Sequence, residues 1–560
     1  MRSITSLAVV LILLLGAGYA VPAAENEPVL IYLYARVTDH LNIGISEDRL
    51  RRILPMLENY RKAHPEAHVS ATILFSGAIS QALAERDAQT GIKGFVLDYV
   101  RRGVIELGYD GTDEPTYERR PLPDLSKARS AEDRWLARGA AAERFLTEGR
   151  QPRTGAEQPG MSGGLKKMQE VFGEAVCVAG LPTELGTDSE VLQHLSRYTT
   201  NAIMFGIPEA NPSHIPGYRG SVTGFTKDMS PIPETSPELY WQDNVLRSSE
   251  IGGPAIRVVV GDEGAKAIQD VLAKLDRSRV QIIHVELASE RIYVRPGPMY
   301  PPLKFAYDNP ERPTLPPTAL RDADDVDAAY AKQEGLMKWL VGDFFPADTG
   351  SHFVSSTDLK RLTPPPTGFE VSVENLRAAL GDFLKAWGND TNLRDYIRVD
   401  GHYLSMADMF QVMTDALATL NRTGRLPHSV RVVRVYGPIE TPGDPGPASG
   451  EVTVASLARA CAEITDRLHE ETWNPIPKNV IPLRFTIEGL NVNSAQFLRL
   501  MAEALVDPSP AAKLKVKMTY LMSVPGYQFP KLRESDLGGT WTFKPAPLTL
   551  ETSRASKSAQ

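Results

Sequence analysis

Residues 29–75 read VLIYLYARVTDHLNIGISEDRLRRILPMLENYRKAHPEAHVSATILF, and the spacing of their apolar residues decides the architecture. The run Val29–Ala35 is apolar, aromatic and branched throughout, which suits a strand buried on both faces. Ser46–His64 then carries Leu50, Ile53, Leu54 and Leu57 at helical spacing, with Ser46 as a capping residue and acidic side chains behind it. A second strand follows at Val69–Phe75. The same order continues with helices at Ala78–Glu85 and Lys93–Arg102 and a strand at Val104–Leu107. Strands that alternate with helices pair in parallel through crossover connections, so the chain opens as an α/β unit.

Further along, a helix is expected at Ala131–Thr147, a loop at Gly149–Gly164 and a helix at Leu165–Phe172. Apolar runs follow at Ala175–Ala179, Ala202–Ile207, Ile256–Val260 and Val280–Glu286. So many strands in one unit of this length predict a β/α barrel rather than an open sheet. Residues 208–250 and 295–325 are rich in proline and weakly periodic, and read as long functional loops. The run TPPPTG at Thr363–Gly368 ends the unit, because three prolines admit neither helix nor central strand.

Beyond that boundary the sequence repeats. EVSVENL at Glu370–Leu376 matches EVTVASL at Glu451–Leu457, and Ile397–Leu417 aligns without gaps to Phe485–Leu505. Two units, 369–436 and 450–530, are expected to hold two amphipathic helices each and to close one mainly α-helical core. Residues 437–450 are the linker between them.

Residues 1–24 carry Arg2, an apolar run from Leu7 to Leu15 and small residues after it, the order of a secretory signal. No later stretch reaches the roughly 20 apolar residues of a membrane helix, so an exported chain that does not insert in the membrane is expected, periplasmic or extracellular. A net charge of -8 spread over 560 residues, without a basic block, argues against a nucleic-acid partner. Cys177 and Cys461 each lie in an apolar segment and read as buried thiols rather than a disulfide.

Three stretches carry candidate chemistry. Asp110, Asp113 and Glu114 follow the end of a strand, where barrel sites gather. Carboxylates at 110 and 114 could share a cation or simply form a solvated turn. In SPIPETSPELYWQD, Tyr240 and Trp241 stand beside Asp243, aromatic faces next to hydrogen-bonding groups as a sugar subsite requires, or as any loop packed on a core. Glu286, Asp110 and Asp243 could furnish the carboxyl pair of a glycoside hydrolase.

The strand 29–35, the strand 104–107 with its turn, the helix 131–147 followed by RQPRTG, and IIHVE at Ile282–Glu286 come in an order that resembles the polysaccharide deacetylase (NodB-like) family, a distorted β/α barrel. HFVSSTDLKRL at His352–Leu362 is similar to that family's last strand and helix. The resemblance, over 28–362, implies a divalent metal ion held by Asp110, Glu114 and His40. It further implies Asp39 as base, His284 as acid and Arg153 in the family's Arg-Pro loop. Where the family's first strand ends in paired aspartates this chain has Tyr34-Ala35-Arg36, with Asp39 and His40 after it. The repeats resemble pseudomurein-binding repeats at LSMADMFQVMTDAL and VNSAQFLRLMAEAL. Together these imply a hydrolase acting on a polysaccharide or cell-wall glycan, with a wall-binding tail. A catalytically silent glycan binder and a glycoside hydrolase stand as alternatives.

Overall fold

The structure is a computed structural model. It describes residues 26–37, 43–110, most of 157–179, 281–288, 320–389, 396–438, 446–472, 477–520 and most of 541–550, with short pieces between 129 and 293.

The expected strand–helix alternation is present. β1 (Val29–Val37) leads to α1 (Ile43–Ala63), β2 (Ala71–Phe75), α2 (Gly77–Thr90), α3 (Ile92–Arg101) and β3 (Ile105–Asp110). Next come a hairpin of β4 (Glu148–Arg150) and β5 (Glu157–Ser162), then α4 (Gly164–Phe172) and β6 (Cys177–Ala179). β7 (Ile203–Phe205), β8 (Leu239–Gln242), β9 (Val245–Ser248) and β10 (Ile256–Arg257) precede α5 (Gly264–Leu272) and β11 (Gln281–Glu286). α6 (Ala323–Trp339), β12 (His352–Val354) and α7 (Ser356–Leu362) end the unit.

Three expectations are corrected. α1 starts at Ile43, so Ser46 is a buried residue inside the helix and not its cap. The stretch 149–164, expected as loop, contains the β4–β5 hairpin, and 208–250 contains β8 and β9. Most of the helix expected at 131–147, the linker 439–445 and the signal at 1–24 lie outside the described residues.

The main sheet runs β10-β11-β1-β2-β3-β6-β7-β9-β8-β21, where β21 is Lys544–Pro545 near the end of the chain. β10 through β9 are parallel, and read around the sheet they keep the order of a β/α barrel. The closed barrel itself is not found: among the described residues β9 pairs with the antiparallel β8 instead of β10, leaving a curled half-barrel.

Strand periodicity sorts the side chains between two faces. Val29, Ile31, Leu33, Ala35 and Val37 pack with Leu50, Ile53, Leu54 and Leu57 of α1 on the convex face. Leu30, Tyr32 and Tyr34 join Leu74, Cys177, Trp241, Ile282 and Leu359 on the concave face. At Gly108 a Cβ would collide with Cys177 Sγ and Leu74, so glycine there lets β3 and β6 approach. Both cysteines are free and buried.

After the proline boundary, β13 (Glu370–Ser372), α8 (Val373–Trp387), the hairpin β14 (Tyr396–Val399) and β15 (His402–Ser405), α9 (Met406–Thr423) and β16 (Ser429–Arg431) follow one another, and β16 pairs back with β13. The same order recurs as β17 (Glu451–Thr453), α10 (Val454–Leu468), β18 (Arg484–Ile487), β19 (Leu490–Asn493), α11 (Ser494–Val506) and β20 (Lys513–Lys515), with β20 on β17. α8 packs on α11 and α9 on α10, so each set of elements buries its helices against the other and one core results. Both hairpins turn on two residues with positive φ, Asp400-Gly401 and Glu488-Gly489, the backbone a type I′ turn demands. In each, the turn carboxylate reaches back to the cap of the preceding helix. Asp400 accepts from Ser372 N at 2.6 Å, and Glu488 accepts from Thr453 Oγ1 at 2.7 Å.

Candidate functional site

The concave face begins with a plug. Near the start of β3, Glu106 accepts from Thr72 Oγ1 at 2.7 Å, from Ser356 N at 2.6 Å and from Thr357 Oγ1 at 2.9 Å. Its carboxylate therefore sits at the amino end of α7, where unpaired backbone N–H groups and the helix dipole favour an anion. Tyr32 OH lies 3.0 Å from Ser356 Oγ, and burial holds both the Tyr32 phenol and the Cys177 thiol well above their usual ranges. These groups close the amino end of the half-barrel and are fixed by structure.

At the other end, the carboxyl ends of β1, β3 and β11 bring charged side chains to the same face. Alternation places Arg36 on the face of Tyr32 and Tyr34, and Asp110 on that of Glu106 and Gly108. Arg36 Nε donates to Asp110 Oδ2 at 2.5 Å, with the aspartate side chain fully buried and the arginine nearly so. A guanidinium there supplies the positive charge that a buried carboxylate needs. On β11, Glu286 is buried and lies 3.5 Å from Tyr34 OH. His284, two residues earlier, packs its ring 5.3 Å from that of Tyr32, and burial lowers its pKa to about 4. The imidazole is accordingly neutral at neutral pH.

Further buried hydrogen bonds hold these strand ends in place. Buried Arg49 of α1 donates from Nε to Ala288 O at 2.8 Å and from its guanidinium to Arg36 O at 2.5 Å, tying the end of β1 to the turn after β11. Ala288 N in turn donates to Gln333 Oε1 of α6 at 2.6 Å.

Of the residues predicted from sequence, Asp110 and His284 are brought to the concave face. Trp241 is there too, buried on β8 rather than on a loop. Tyr240 is a strand residue paired with Arg247 and Pro545. Asp39, His40, Glu114, Arg153 and Asp243 lie outside the described residues. Arg36 and Tyr34 escaped sequence reasoning, although period-2 alternation in VLIYLYARV already puts an arginine on the inner face of an otherwise apolar strand. Among the described residues no group of three acidic, histidine or cysteine side chains could hold one metal ion. Asp110, the only described member of the expected ligand set, has one oxygen committed to Arg36, and its charge is balanced without an ion.

Among the described residues no helix is long and apolar enough to cross a membrane. No known family profile matches the chain, and no curated protein does. A solved structure, the 4-alpha-glucanotransferase from Thermococcus litoralis, is similar with a TM-score of 0.29 at 11% identity, over 65% of this chain and 46% of that one. The chain thus spans less than half the length of that protein.

Proposed function

We propose that this chain is an exported carbohydrate-active protein that acts on a polysaccharide or cell-wall glycan at the carboxyl ends of β1, β3 and β11. The observation that carries the reading is the convergence of Arg36, Asp110, Tyr34 and Glu286, from three strands, on one end of the concave face, where barrel scaffolds place their chemistry. Tyrosine and arginine there offer donors for sugar hydroxyls, and the tied strand ends keep the carboxylates from moving.

The reaction class proposed first is hydrolysis of an acetylated glycan. Asp39, His40 and Glu114 would have to supply the ligands of a divalent ion, since Asp110 fits an ion poorly while Arg36 holds it. An ion bound there would supply Lewis acidity at the amide carbonyl. Asp110, oriented by Arg36, then serves to position substrate, and His284 in its neutral form accepts rather than donates a proton at neutral pH. A second reading, glycoside hydrolysis, is favoured by one feature. Asp110 and Glu286 stand on strands separated by β1 and β2, so their backbones are about 14 Å apart in a flat sheet, and curling brings the side chains nearer across a space that admits a sugar ring. The repeated C-terminal elements are proposed as a duplicated module that holds the enzyme on its polymer.

Incubating the purified protein with partially acetylated glycan, with and without added divalent ion, tests both. Free acetate supports deacetylation, and new reducing ends support glycoside cleavage. Asp110→Asn, which keeps an acceptor for Arg36, should cut the rate by a hundredfold or more, on the order of one lost catalytic or orienting group. If wild type and variant release neither product and neither is retained on the polymer, the reading is wrong.

A further inference from the structure

At the amino end of the main sheet β1 shares one edge between two neighbours: β12 pairs with Leu30–Tyr32, and β2 with Tyr34–Val37. A histidine stands at the entry to each. His352 is the first residue of β12, and His68 ends the turn that leads into β2. Their rings lie 5.5 Å apart, centre to centre, at 66° to one another. His352 Nδ1 donates to Gly350 O at 2.7 Å, which fixes the tautomer and leaves the lone pair on Nε2. A ring held in this way by a backbone carbonyl has the posture of a metal-binding imidazole. His68 is exposed and takes a left-handed backbone, φ 54°, after the single turn Pro65–Ala67, a conformation uncommon outside glycine. His64, at the start of that turn, is spent on Glu66 at 3.3 Å. Burial lowers the His352 pKa, and the charge that His68 carries when protonated lowers it further, so the His352 ring is neutral and able to ligate at neutral pH.

We propose that His68 and His352 form a two-histidine site for a divalent transition ion of the zinc class, a staple between the entry to β2 and the start of β12. An ion about 2.0–2.1 Å from each ring nitrogen lies roughly 3.2 Å from each ring centre, so a tetrahedral angle at the ion needs centres about 5.2 Å apart. The observed spacing is close to that. Imidazole favours zinc, nickel or copper over magnesium and calcium, which demand oxygen ligands. Among the described residues no third histidine, cysteine or carboxylate joins the pair, so water completes the coordination. The ion joins two segments distant in sequence and holds β12 against β1. It is separate from the ion proposed at the carboxyl ends of the strands, which lie at the opposite end of the sheet.

The test is calorimetric titration of the tag-free, EDTA-treated full chain with zinc chloride, alone and in excess magnesium chloride. His40→Ala, which removes a ligand expected for an ion at the carboxyl ends, is titrated beside the wild type. Zinc should bind both, and magnesium should not displace it. His68→Asn, which keeps a residue tolerant of the left-handed backbone, and His352→Gln should each weaken zinc binding about tenfold or more. Zinc should also raise the thermal unfolding midpoint of the wild type and of His40→Ala but of neither other variant, because an ion bound only to the folded chain stabilises it. Zinc affinity unchanged in His68→Asn, or no zinc binding by the wild type, overturns the proposal. Binding lost in His40→Ala and kept in His68→Asn overturns it as well and assigns the ion to the carboxyl ends instead.

Discussion

Ser405, Asp408, Asn493 and Gln496 of the C-terminal region are buried and form reciprocal capping boxes on the first turns of α9 and α11, while Asp408 also accepts from Lys544 and the two amides also donate to backbone carbonyls. In the sheet unit Asp110, His284 and Glu286 are buried and Arg36 is largely so, and they stand near strand ends, where Arg36 bonds Asp110 and Tyr34 bonds Glu286. The first set completes backbone that would otherwise be orphaned. The second is retained at an energetic cost, because burying charge rarely stabilises a fold by itself. The contrast teaches where to look for chemistry: polar groups that serve backbone are architecture, and polar groups that serve one another at the end of a parallel sheet are candidates for function.

The contrast is easiest to break at its arginines. Arg36→Met removes the guanidinium that pairs with the buried Asp110 carboxylate and should cost about 3–5 kcal/mol in urea unfolding. Arg377→Met removes a guanidinium that only donates to Leu505 O and Val506 O, and should cost about 1 kcal/mol. Equal losses would erase the distinction.

Acid sharpens it further. His284 is neutral in the folded protein, with its pKa near 4, against about 6.5 unfolded, so the unfolded chain binds the extra proton between those values. Stability should then rise with pH through that window, and about 3 kcal/mol should be lost on going from pH 6.5 to 4. His284→Gln should flatten that part of the profile, and an unchanged slope would place the loss elsewhere.

The smallest effect concerns the repeated hairpins. Gly401→Ala and Gly489→Ala each put a Cβ at φ near +80° and should cost about 1 kcal/mol apiece, equally. Unequal costs would show that the two turns are not equivalent supports.

Much of this was legible in sequence. Continuous apolar runs announced β1, β2 and β11, because parallel strands covered on both faces need them. The gapless match of 397–417 with 485–505 carried the turn glycines and the helix caps with it. β8 and β9 were missed since they are short and sit among prolines, and β21, which pairs with β8, is some 300 residues away in sequence, beyond any local pattern. The Arg36–Asp110 pair was missed for a similar reason: each residue looks ordinary in its own segment, and only the curl of the sheet brings them together.

β21 carries a further consequence. Trp541 is embedded in the C-terminal core, Lys544 and Pro545 complete the sheet edge along β8, Ala546 enters the concave face, and Thr549 N donates to Leu362 O at 2.7 Å. A ribosome delivers this segment some 300 residues after β8. The large sheet thus waits, one edge open, until β21 has been made, and a chain cut before Trp541 would present that edge to any neighbouring strand.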